Sequence, residues 1–158
     1  MIDWSRTIRA ALVSGSCASV GSTIGLAVAA RREGRWAVQP LNATSHWLNG
    51  DGAAAVEVVD WRHTGVGYAT NHAASVFWAA IFEAWLAWRG EPVGPVAMVR
   101  DAVVMSAIAA AVDYGATPKR FTPGWEFVLS KKGMAVAYAG LALGLAVGAS
   151  GTRRRRGF

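Results

Sequence analysis

Cysteine is nearly missing from this chain, with Cys17 the only one. That excludes an intramolecular disulfide, a paired-thiol redox motif and a cysteine-rich metal site, and it leaves the redox compartment unread. Charge is scarce too: 16% of 158 residues are charged and 53% hydrophobic, a balance foreign to an ordinary soluble domain of this length. The net charge is +6, but four of the positives are the run "RRRR" at 153–156. Such a cluster beside an apolar stretch suits anionic lipid headgroups, and nucleic-acid binding is the poorer reading. No nucleophile elbow, phosphate-cradling glycine loop or HExxH occurs, so no motif argues for an enzyme.

What is present is apolar sequence in blocks. Four stretches, at about 10–30, 64–88, 93–114 and 134–150, are each long enough to cross a hydrocarbon layer of about 30 Å. The expected fold is all-α: an integral membrane four-helix bundle forming a single domain over 1–152, followed by a basic tail at 153–158. Arg100 and Asp101 interrupt the third stretch, which leaves a re-entrant segment as its alternative. Trp4, Trp36, Trp61, Trp88 and Trp125 fall in flanks or connections, where an amphipathic ring favours the headgroup level. The first stretch is longer than a secretory signal's apolar core, so it is read as retained. Helical spans suit a bacterial inner membrane or a eukaryotic membrane, and the abundance of alanine, with arginine outnumbering lysine, favours the bacterial one. Lysine and arginine nearly tie between the two sides, and the dense tail tips the termini to the cytoplasm.

In lipid, helices associate through close backbone approach and interhelical hydrogen bonds, so small residues mark contact faces. The first stretch has Gly15, Ser22 and Gly25 on one stripe with Ala11, Ala18 and Ala29. The last has Gly140, Gly144 and Gly148, a double GxxxG. Packing within the chain is the preferred reading over a dedicated homodimer face.

The second stretch, "NHAASVFWAAIFEAWLAWRG", carries His72 and Glu83. Their separation brings them within about 20° of each other on a helix, on a face shared with Tyr68 and Ser75. Phe77, Trp78, Ile81, Trp85 and Trp88 cluster opposite, and that bulky side is expected to face lipid. The polar side must face the bundle, since ionisable groups in hydrocarbon are costly unless paired or wetted. The short turn "RGEPVG" predicts an antiparallel hairpin that sets Glu83 level with Arg100, the expected ion pair, and His72 near the depth of Asp113. A structural role for this set is preferred, and a proton path through His72 and Glu83 is the alternative.

The connection between the first two stretches is long enough to carry structure of its own. Pro40 and residues 42–47 read as a turn into a short helix lying at the membrane surface. Asn42 heads a formal glycosylation triplet, which means little in a bacterial host. His46 and His63 lie here, and with His72 they complete the histidines. Zinc, iron or haem ligation is conceivable in principle, but the spacing matches no established metal motif, so no cofactor is assigned. His46 beside Thr44 and Ser45 is the only hint of surface acyl or phospholipid chemistry, and those residue types are more often turn and cap residues. Thr122 and Pro123 read as the start of the last helix, with Lys131 and Lys132 snorkelling to headgroups.

The segments "PLNATSHWLNG" from Pro40, "HAASVFWAAIFE" from His72 and "VDYGATPKRFTPGWEFVLS" from Val112 resemble those of a family of small bacterial inner-membrane proteins with about four helices and no assigned activity. The likeness runs over about 39–148. It implies the membrane class and leaves function open. The resulting expectation is a non-enzymatic membrane protein, an accessory or scaffold subunit, whose partners are the bilayer and either a larger membrane complex or its own copies. A small transporter or proton-conducting oligomer is the runner-up.

Overall fold

A computed structural model of the chain describes residues 3–90 and 94–154. Part of the hairpin turn and residues 155 and 156 of the arginine run lie outside the described residues. Among the described residues, every regular element is helical. Helix α1 (Trp4–Arg32) is capped by Asp3, whose carboxylate accepts the Arg6 N–H, and Arg31 and Arg32 sit at its negative end. Two short helices follow, α2 (Gln39–Ala43) and α3 (His46–Asn49), then a 3-10 turn (Asp51–Ala55) and a π turn (Trp61–Gly65) leading into α4 (Val66–Arg89). After the hairpin come α5 (Pro95–Gly115), two 3-10 turns (Lys119–Phe121 and Trp125–Phe127) and α6 (Lys131–Arg154).

Helices α1, α5 and α6 are long and apolar enough to cross a membrane. Helix α4 is long enough but is not among them, because Thr70, Asn71, His72, Ser75 and Glu83 dilute its apolar content. The centre of the molecule is the antiparallel pair α1 and α6; α4 packs on α1, and α5 packs on α6. The seam between α1 and α6 is made of small residues in backbone contact. A Cβ on Gly21 or Gly140 would overlap the other's carbonyl oxygen, and one on Gly144 would meet the Cys17 carbonyl and the Ala18 backbone. Gly25 and Gly148 lie on the same seam, against Ala137 and Ser14. Gly15 differs: it faces Val76 of α4, so one α1 stripe serves two neighbours.

Several sequence expectations are corrected here. Helices α4 and α5 meet at Arg89 and Asp101 and at Trp78 and Asp113 but pack little between, so the close hairpin that would pair Glu83 with Arg100 does not form. Arg100 and Asp101 do not break the third helix either. Asp101 is only 2% exposed and is held by both Arg89 and Arg100 next to the turn, so its charge is compensated without interrupting the backbone. The last helix starts at Lys131 rather than Thr122, because Gly124 takes a left-handed φ of 79° that stops helix propagation. Ser130 becomes the cap: its Oγ accepts the Gly133 N–H at 3.2 Å, while its own N–H and hydroxyl donate to Glu33 at 2.9 and 2.6 Å. Residues 39–46, for their part, are buried against the end of the bundle. Gly67 of α4 permits this, since any Cβ there would collide with the Leu41 carbonyl.

Candidate functional site

Apart from Asp101 with Arg89 and Arg100, polar side chains gather in three further places among the described residues. The first is at the end where α1 begins and α6 finishes. Glu83, 2% exposed, accepts a hydrogen bond from Ser14 of α1 at 2.9 Å and from Arg153 of α6 at 3.0 Å. One carboxylate thus joins three helices, and α6 supplies the cation that was expected from α5. A crevice of about 90 Å³, lined in part by Asp3, Arg6 and Thr7, reaches this pair.

The second cluster is at mid-helix. The Asn71 amide donates to Ser22 at 3.1 Å and to Thr23 at 3.3 Å, with Ser19 close by. The inward face of α4 runs through Asn71, Ser75, Ala79, Phe82, Glu83 and Leu86, so it keeps Ser75 and Glu83 of the face drawn around His72 and is turned from His72 towards Asn71. His72 is half-buried at its margin, stacked on the exposed Tyr68 with ring centroids 6.1 Å apart, and its Nδ1 has no hydrogen-bond partner. The bulky flank divides. Phe77, Ile81 and Trp88 are exposed, Trp85 is half-buried, and Trp78 turns inward at 8% exposure because it fills space that α5 leaves open.

The third cluster is the opposite end, where the two long connections cross over one another. Asn42, fully buried, donates to the carbonyls of Val56 and Val58 at 2.9 and 3.0 Å and accepts from the Thr64 hydroxyl at 2.6 Å, closing the first connection on itself. His46 Nε2 lies 3.0 Å from the Thr122 carbonyl, which only accepts, so that nitrogen carries the proton. Trp125 donates to the Thr44 hydroxyl at 3.0 Å, a second link between the connections. His63 is occupied locally by Asp60, at 2.8 Å; the His63 backbone N–H and ring together hold the Asp60 carboxyl below its ordinary range.

Beneath these crossed connections is a cavity of about 340 Å³ between α4, α5 and α6. Trp47, Phe121 and Trp125 cover it; Ser75, Trp78, Asp113 and Tyr138 line it from the helices. Asp113 does not meet His72. Its Oδ2 accepts the Tyr138 hydroxyl at 2.7 Å. Tyr138 also packs against Trp125, centroids 5.1 Å apart and the rings tilted by 57°, so α6 couples the acid to the cover.

No family model, curated protein or solved structure matches the chain. The chemistry must therefore be read from the clusters themselves. The three histidines occupy separate surroundings, and among the described residues no group of three or more His, Cys, Asp or Glu side chains could hold a metal ion. Ser45 is bonded to the Asn42 carbonyl and to Asn49, and Thr44 to the Pro40 carbonyl and Trp125, so neither hydroxyl is paired with His46. Sequence reading missed Asn71, Trp125, Tyr138 and Glu33. Asn71 had a usable signal, since it leads an i, i+4 row of small residues (Ser75, Ala79) facing a serine-rich α1.

Proposed function

We propose that the chain is a four-helix integral membrane protein of a bacterial inner membrane that acts without catalysis, as a small accessory or scaffold subunit. The observation that carries this reading is the engagement of Glu83, which sits between Ser14 and Arg153 and clamps α1, α4 and α6 together. An acid held on both oxygens by its own bundle is a register device. Asn71 acts in the same way between α4 and α1. The small-residue seam adds close backbone contact, which is how helices associate where there is no water to expel. Three helices are apolar enough to span unaided, and in this reading α4 joins them by turning its polar row onto α1.

The test is purification in mild detergent from the native host, followed by reconstitution. The expected outcome is a partner at fixed stoichiometry and no proton flux in proteoliposomes. Flux through the chain alone that disappears in His72→Ala or Glu83→Gln would replace this reading with the conducting one.

A further inference from the structure

The cavity under the crossed connections is unlike the other polar clusters because its acid has no cation. Glu83 has Arg153, and Asp101 has Arg89 and Arg100. Asp113, the third acid on α4 and α5, has the Tyr138 hydroxyl, and no arginine, lysine or histidine lies at ion-pair distance from it among the described residues. No basic side chain lines the cavity. A carboxylate has about four acceptor sites, so the Tyr138 hydroxyl and the neighbouring Trp78 indole N–H leave others open.

Two further observations point to a ligand. Ser75, 1% exposed, lines the cavity with an Oγ that has no hydrogen-bond partner. Five rings, from Trp47, Trp78, Phe121, Trp125 and Tyr138, stand around the same small volume, with Thr44, Thr70, Asn71 and Thr122 among the residues between them. Aromatic faces attract cations, tryptophan most strongly, and they also receive apolar groups. At about 340 Å³ the space is at the small end for ligand pockets.

We propose that this cavity binds a protonated primary amine on a compact apolar body, with Asp113 as counterion and Ser75 as hydrogen-bond acceptor. The ammonium supplies the charge that Asp113 lacks and the N–H that Ser75 lacks, and the aromatic rings enclose the body. Loss of the accessory role would leave this proposal standing, because it rests on the cavity alone.

The test is titration of the full chain in neutral maltoside micelles at pH 7, read by tryptophan fluorescence, with 2-phenylethylamine, 2-phenylethanol and propylbenzene. The three share an apolar body and differ in charge and hydrogen bonding. The ammonium is expected to bind about tenfold more tightly than the alcohol. Asp113→Asn is expected to erase that preference while leaving alcohol binding intact, which also reports a folded pocket. Ser75→Ala is expected to weaken the amine without affecting propylbenzene. Equal affinity for all three in the wild type, or no saturable amine binding, overturns the proposal even if a variant fails to fold. Displacement of the amine by added phosphatidylethanolamine would identify a lipid headgroup as the source of the same chemistry, and no displacement a free amine.

Discussion

Glu83 shows what a single residue discloses in one dimension. A carboxylate inside an apolar helix must have company, and that much is legible; the identity of the company is not, because it depends on which helix lies alongside. The partner is Arg153, 70 positions away. Arg153→Met should therefore leave a buried carboxylate uncompensated and cost about 3–5 kcal/mol, whereas Glu83→Leu with Arg153→Met should recover most of it. Thermal unfolding in detergent of the two single variants and the double variant checks this, and a double variant as unstable as Arg153→Met would refute it. Asn71 was overlooked because an amide carries no charge to attract notice. Asn71→Ala should cost about 1 kcal/mol, the usual net size of an interhelical hydrogen bond. His72, though ionisable, lies half-buried at the margin of the face that Asn71 occupies.

At the scale of elements, the α1 and α6 stripes were readable because backbone contact tolerates only small side chains at regular spacing. Gly144→Leu should force the helices apart and destabilise by about 1–3 kcal/mol, while Leu143→Ala on the exposed face should be nearly silent. Comparing their melting temperatures tests the seam directly. Helix boundaries were less readable. Thr122 and Pro123 carry a respectable start signal, yet Gly124 diverts the chain and Ser130 takes the cap. The crossed connections looked like independent loops, and their mutual burial depends on one-atom contacts such as Trp125 to Thr44. Trp125→Phe keeps the ring and removes that bond, so a loss of about 1 kcal/mol is expected, with faster amide exchange at residues 42–46.

Over the whole molecule, the two ends are fastened differently. At one end Glu33, just past α1, receives both the hydroxyl and the N–H of Ser130 at the start of α6. These hydrogen bonds hold its carboxyl below the ordinary glutamate range. A lowered folded-state value means the clasp contributes fully above the unfolded value and is lost as pH falls through the folded one. Stability should therefore decline below about pH 4, and Glu33→Gln should flatten that part of the profile in a pH-dependent melting series. The other end is fastened by Glu83 and Arg153. Between them, α5 leans on α6 and leaves α4 free to border a cavity. The sequence by itself determined the helical character, the apolar lengths and the small-residue seam, because periodicity and run length are properties of neighbours along the chain. Only the tertiary structure decided that α6 rather than α5 answers Glu83, that Asn71 rather than His72 faces inward, and that Asp113 opens onto a cavity. Those outcomes depend on the relative rotation and order of packed helices, which distant contacts set and local pattern does not encode.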